Sequence, residues 1–204
     1  MIFDVSMLIE EEMQVYKNTE SKQPIFKNVA NHKNNQAYET DMKINLHTGT
    51  HIDYPLHMVE NGKTSDFEDL YKLIGTCKVI DFTSCKDKIS KKDLEKHNIE
   101  KNDFLLFKTK NSFTDDFIFD FTYLDASGAK YLQEKQVRGV GTDGLGIERN
   151  QKNHETHKIL LEADIIIIEG LRLKAVNDKS YQMYCLPLKI KSVEATPARV
   201  ILID

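Results

Sequence analysis

Eleven consecutive residues, His47-Thr48-Gly49-Thr50-His51-Ile52-Asp53-Tyr54-Pro55-Leu56-His57, constrain this chain more than any other part of it. Gly49, the β-branched Thr48, Thr50 and Ile52, and Pro55 all oppose a helix, so the segment reads as a strand leading into a turn. Residues 37–46 lead into it with Met42, Ile44 and Leu46 at a spacing of two, the alternation of a half-buried strand. Four metal-binding side chains, His47, His51, Asp53 and His57, fall inside the segment, and they include three of the chain's seven histidines. All four positions are odd-numbered, so an extended backbone would project them from one face, where imidazole nitrogens and a carboxylate can converge on one cation. Two histidines and a carboxylate with free coordination positions are what hydrolytic metal chemistry needs, because water bound to such a cation loses its proton near neutral pH. The competing readings are hydrogen-bonded structural histidines, or a coordinatively closed ion in a protein without turnover.

Hydrophobic periodicity lays out the rest of the chain. Strands are expected at 2–9, 78–82, 103–108, 137–143, 164–169, 186–190 and 200–203, and helices at 65–73, from Ser90, from Asp125 and over 154–163. Residues 10–35 show little periodicity and read as a long loop. Phe113, Phe117, Phe119, Phe121 and Tyr123 would align on one face if their segment is extended, lining a pocket or filling the core. Strands mixed with helices and no linker predict one compact α/β (mixed α+β) domain over residues 1–204.

A composition of 40% hydrophobic and 29% charged residues is that of a folded globular protein. The formal charge of -4 offers no basic field, which disfavours nucleic acid and an anionic membrane surface as principal partners and favours a small-molecule substrate. Cys77, Cys85 and Cys185 form no CxxC pair, so neither a disulfide framework nor a thiolate zinc site is signalled and a reducing, cytoplasmic compartment is expected. No run approaches the roughly 18 apolar residues of a membrane span. Nitrogen and carboxylate ligands accept several divalent metals, with Zn2+ preferred by the imidazole content and Mn2+ compatible. His32 and His97, isolated in polar surroundings, carry no chemistry, and His154 has no assigned role.

The segment at 47–57 matches every fixed position of the HxGTHxDxPxH signature and so resembles the metal-dependent cyclase-like hydrolase family, of the bacterial kynurenine formamidase and isatin hydrolase type. The resemblance continues in His157-Lys158-Ile159-Leu160-Leu161, in Ile167-Ile168-Glu169-Gly170-Leu171 and in Leu186-Pro187-Leu188-Lys189-Ile190. Phe3-Asp4-Val5-Ser6 and Gly141-Thr142-Asp143 are also similar to the family pattern. It implies a swivelling β/β/α type of fold, often as a homodimer. It further implies that His47, His51 and Asp53 bind a first metal and that Asp53 bridges to a second held by His157 and Glu169, with one ion or two left open. His57 is then the acid/base residue, a role Glu169 could share, and Thr48, Thr50 and Asp143 are candidates for orienting the ligands. The reaction implied is hydrolysis of a carbon–nitrogen bond in a small amide, as in an arylformamidase. The alternatives are another cyclic amide, lactam or ester, or a metal-binding protein without catalysis. This chain has no Trp, so Phe26, Phe113, Phe117 and Tyr123 are the candidates for an aromatic wall around an aryl ligand.

Overall fold

An unbroken apolar run such as Phe104-Leu105-Leu106-Phe107 suits a strand buried on both faces. The computed structural model, which describes residues 1–67, 69–149 and 151–204, buries all four of these side chains. In chain order the strands are β1 (Ile2–Asp4), β2 (Ile25–Ala30), β3 (Glu39–Lys43), β4 (His51–Asp53), β5 (Ile74–Asp81), β6 (Lys88–Ile89), β7 (Phe104–Lys108), β8 (Tyr123–Leu124), β9 (Gly139–Thr142), β10 (Ile166–Glu169), β11 (Ser180–Pro187) and β12 (Ala195–Ile203). The α-helices are α1 (Leu70–Leu73), α2 (Lys91–Leu94), α3 (Ala126–Lys135) and α4 (Glu155–Glu162).

Strands β5, β7, β9 and β10 lie side by side and parallel. Antiparallel pairings of β10 with β4, β4 with β12, β12 with β11 and β11 with β5 then close seven strands into a barrel, with β1 an eighth on the outer side of β12. Closure leaves no free edge among those seven. Alternate residues divide between two cores. Phe104, Leu106, Ile168, Met183 and Leu202 fill the barrel. Leu105, Phe107, Val140 and Ile167 point outward and pack under Leu132 of α3 and Leu160 of α4. The interior is crowded enough that β9 must be small there: a β-carbon at Gly139 would lie 2.3 Å from the Phe104 ring. The mixed α/β architecture is the one expected. Among the described residues no helix is long and apolar enough to cross a membrane.

Several boundaries differ from expectation. The stretch at 10–35 contains β2 and two 3-10 turns, Tyr16–Asn18 and Glu20–Lys22. Strand β2 pairs with β3 as a separate ribbon whose β3 side chains are all exposed rather than half-buried. The extended start ends at Asp4, and the helix expected over 65–73 is a 3-10 turn, Ser65–Phe67, followed by the single turn α1; residue 68 lies outside the described residues. Strand β10 begins only at Ile166, because Asp164 takes a left-handed conformation (φ 58) as the chain leaves α4. The closing strand placed at 186–190 is in fact β11, which ends at Pro187. The aromatics at 113–123 do not share a face. A 3-10 turn, Lys110–Phe113, breaks the alternation, leaving Phe117 and Phe121 buried but Phe113 and Phe119 exposed.

Candidate metal centre

Strand β4 is three residues long and is held on both sides. His51 stands opposite Glu169 of β10 and Pro197 of β12, and Asp53 opposite Ile167 and Ala195. Ile52 points into the barrel, so the strand's alternation sends His51 and Asp53 outward to the side covered by α4. Glu169 comes from the end of β10, and His157 from the face of α4 that also buries Leu160 and Leu161. His47 reaches the same point from the turn before β4, with its backbone N–H bonded to the Asn45 side chain at 2.9 Å. His57 arrives from the 3-10 turn Pro55–His57 that follows. The expected strand does lead into a turn, but it is only three residues long and a further turn holding His47 precedes it, so the histidines converge by tertiary folding rather than along one extended face.

The backbone around them is tied down. Thr50 Oγ1 donates to the Gly170 carbonyl at 2.6 Å and accepts from the Met7 N–H at 2.8 Å. His51 Nδ1 lies 3.0 Å from the Gly49 carbonyl, a bond that directs Nε2 to the cluster. Glu169 Oε1 accepts from the Ile147 N–H at 2.6 Å. Gly49 (φ 67) and Gly170 (φ 71) both use left-handed backbone that favours glycine. Asp143 does not reach the cluster: its carboxylate is consumed by Thr109, Asn111 and Ser112, which it ties together beneath β9.

His51, Asp53, His157 and Glu169 are 1%, 3%, 5% and 4% exposed, a concentration of charge that a protein interior tolerates only with close compensation. Neither carboxylate oxygen of Asp53 has an aligned hydrogen-bond partner. Imidazole nitrogens surround it instead. His47 Nδ1, His51 Nε2 and Asp53 Oδ1 are separated by 3.2, 3.0 and 3.4 Å. Tetrahedral ligands bonded at about 2.0–2.1 Å to one cation stand about 3.3 Å apart, so the spacing is that of a ligand triad. On the other side of Asp53, His157 Nε2 is 3.6 Å from Oδ2 and 3.3 Å from Glu169 Oε1. The donors therefore fit one cation, or two sharing Asp53. His57 also lies near, its ring 4.3 Å from that of His47, and one of its nitrogens groups with His47 and Asp53 atoms within 4.8 Å of one another.

Without a cation the cluster holds protons. Burial opposes charge on His51, but its bonds to Asp53 and Glu169 outweigh that and raise its pKa to about 10. Burial likewise works against His157, and Asp53, Glu148 and Glu169 overcome it, raising its pKa. Asp53 and Glu169 respond in the opposite sense, Glu169 to about 2, as burial and the repulsion from Asp53 are offset by His157 and His51. His57 differs. Burial pushes its pKa down, with Asp53 opposing, which leaves a neutral imidazole at neutral pH.

A cleft of about 210 Å³ opens on the cluster, and Tyr16, Lys22, Met58 and Leu145 are among the residues that line it. None of the expected wall residues Phe26, Phe113, Phe117 and Tyr123 lines it; Phe117 instead supports Tyr16 edge-on at 5.6 Å. Glu148, 4% exposed, stands behind His157 with Oε1 2.9 Å from Nδ1, accepts from the Thr156 N–H, and lies 2.8 Å from His154 Nδ1. Asn153 and His154 are both left-handed (φ 62 and 53), a strained pair that turns His154 to Glu148. Glu194 Oε1 lies 3.5 Å from His47 Nε2. Tyr16, Lys22, Glu148 and Glu194 carry no sequence signal of their own, since each is an isolated residue in an aperiodic segment. His32 and His97 lie elsewhere, against Tyr38 and Phe82.

The closed barrel with a buried imidazole–carboxylate cluster open to a cleft defines a class: a small α/β protein with a donor set that could hold a divalent cation. Residues 3–149 match the model of the Cyclase family, and the chain belongs to that family. A solved structure described as a potential metal-dependent hydrolase with cyclase activity is 48% identical, with a TM-score of 0.94 over 99% of this chain and 96% of that one. Kynurenine formamidase of Erythrobacter litoralis is 34% identical over 163 residues, 79% of this chain and 74% of that protein. Isatin hydrolase A from Labrenzia aggregata, 20% identical, superposes with a TM-score of 0.85 over 99% of this chain and 93% of that one, a likeness of fold.

Proposed function

We propose that this chain is a metal-dependent amidohydrolase that cleaves the carbon–nitrogen bond of an N-formyl aryl amine, with N-formylkynurenine as the substrate to try first. The observation that carries the reading is the pair of donor sets sharing Asp53, spaced as metal ligands, with the neutral His57 beside them at the cleft. Likeness to a kynurenine formamidase supports the substrate class. His47, His51 and Asp53 would hold one ion, and Asp53, His157 and Glu169 a second. Zn2+ or Mn2+ bound there supplies a Lewis acid that polarises the amide carbonyl and acidifies water.

The chain's own residues move the proton. His57 takes it on an imidazole nitrogen as the oxygen of water joins the formyl carbon, and returns it to the departing nitrogen as the C–N bond breaks, giving formate and the free arylamine. Glu169, oriented by the Ile147 N–H, is a ligand and a second proton acceptor. Met58, Leu145 and the Tyr16 ring present apolar surface for an aryl group. A homodimer fits the exposed apolar groove that includes Leu8, Leu186 and Leu188, and its mass in solution tests that part of the reading.

The decisive experiment measures metal content and N-formylkynurenine turnover for the parent protein and for the His51→Ala, Asp53→Ala double variant. Metal and formate release in the parent, both lost in the variant, are expected. Metal-loaded protein that turns over no formamide would overturn the reading.

A further inference from the structure

The cleft carries one cation that the cluster does not use. Lys22 lines it, half-buried, at the end of the 3-10 turn Glu20–Lys22. Among the described residues its ammonium forms no ion pair, although Glu148 and Glu169 line the same cleft. Nζ lies 5.1 Å over the ring of Tyr16, which Lys17 Nζ also approaches at 5.3 Å, although among the described residues Lys22 and not Lys17 lines the cleft. That ring is itself fixed, edge-on to Phe117 at 5.6 Å and to Phe121 at 6.5 Å. The backbone of Lys22 is tied to the metal-ligand segment, since its carbonyl accepts from Thr48 Oγ1 at 3.4 Å, one residue from His47. Lys17 and Asn18, both left-handed (φ 59 and 50), reverse the chain between Tyr16 and Lys22 so that both face the same cleft.

An ammonium held over an aromatic face, partly shielded from water and without a carboxylate, is a receptor for an anion. A bound molecule that presents its amide to the cluster and its ring to Tyr16 has its remaining substituent at Lys22. We propose that Lys22 is a specificity-determining residue that selects, among arylformamides, those with a carboxylate on a side chain remote from the scissile bond. The proposal rests on the amidohydrolase reading for the reaction, and on geometry alone for the binding.

The test compares two probes that differ only in charge: N-formylkynurenine lacking its amino group, and the primary carboxamide of that acid. The wild-type protein is expected to favour the acid in kcat/KM. Lys22→Met should reduce the ratio of the two values by about tenfold or more, as loss of one charge-assisted hydrogen bond does, chiefly through KM. Lys22→Arg should restore most of it. An equal fall on both probes, or none, overturns the proposal, and an unchanged melting temperature and metal content show that each variant is folded. If neither probe is turned over, the amidohydrolase reading fails, and calorimetric binding of the deformylated acid and its carboxamide decides the role of Lys22. A weaker Kd for the acid alone in Lys22→Met supports it, and equal Kd values for both ligands in the wild type overturn it.

Discussion

A β-carbon on Gly170 would fall 2.4 Å from the carbonyl oxygen of Gly49. Gly170 follows Glu169 and Gly49 lies between His47 and His51, so the two halves of the centre meet backbone to backbone. Gly170 also has φ of 71, which an alanine adopts only with strain. Gly170→Ala should therefore push the 47–51 turn away from β10. We expect a loss of ~2 kcal/mol in denaturant unfolding, together with weaker metal retention. Wild-type stability and metal content would show that the close approach is dispensable.

His57→Ala separates two duties. If His57 moves protons, the variant keeps its metal and loses roughly 10²–10⁴-fold in kcat. If its nitrogen joins His47 and Asp53 as a ligand, as their grouping within 4.8 Å permits, metal and activity leave together. Elemental analysis beside steady-state kinetics distinguishes the two, and retention of metal is the expected result.

Protons and cation compete for the same atoms. His51 has a folded pKa of about 10 against an ordinary value of 6.5. In metal-free protein this raised value contributes stability that is fully present below pH 6.5 and is lost as the pH climbs through about 10. Chelator-treated protein should accordingly melt at progressively lower temperature across that window. Loading with Zn2+ must expel the proton from His51 Nε2, so calorimetry in buffers of different ionisation enthalpy should report net proton release. A binding enthalpy independent of buffer would contradict this.

Glu148 acts on His157 from behind. Its carboxylate, 2.9 Å from Nδ1, is placed to fix the ring so that Nε2 faces Asp53 and Glu169. Glu148→Gln keeps the shape and removes the charge. Metal affinity, measured by competition with a chelator, should fall about tenfold to a hundredfold with little change in the melting temperature of the chelated protein. Unaltered affinity would reduce Glu148 to a cap on the first turn of α4, where it also accepts from the Thr156 N–H.

The candidate donors within residues 47–57 were legible because the chemistry is concentrated, imidazoles and a carboxylate that point to a cation whatever the fold, whereas His157 and Glu169 were reached only through the family resemblance. How they meet was not legible. Spacing suggests one extended face, yet His47 sits in a turn, His51 and Asp53 in β4 and His57 in a 3-10 turn, because tertiary pairing with β10 and β12 decides where the strand starts and stops. The buried strand at 104–108 was readable from its continuous apolar run, whereas β2, with Lys27 and Asn28 at its centre, was hidden by its exposure. Tyr16 and Lys22 could not be found for the same reason. Their position depends on two left-handed residues between them, and neither Lys17 nor Asn18 announces that conformation in a polar stretch. Phe113 and Phe119 misled in the other direction, since a period of two persists in the sequence where the backbone is no longer extended.

Strand β4 has only three residues, and both its partners come from far along the chain, at 167–169 and 195–197. During synthesis, His51 and Asp53 leave the ribosome long before the segments that align them. The nascent chain consequently lacks His157 and Glu169, and with them the β10 and β12 pairings that set the geometry of the centre. A cation would meet the donors of β4, β10 and α4 in this geometry only after the strand at 195–203 has closed the barrel, which makes full ligation a late event in folding.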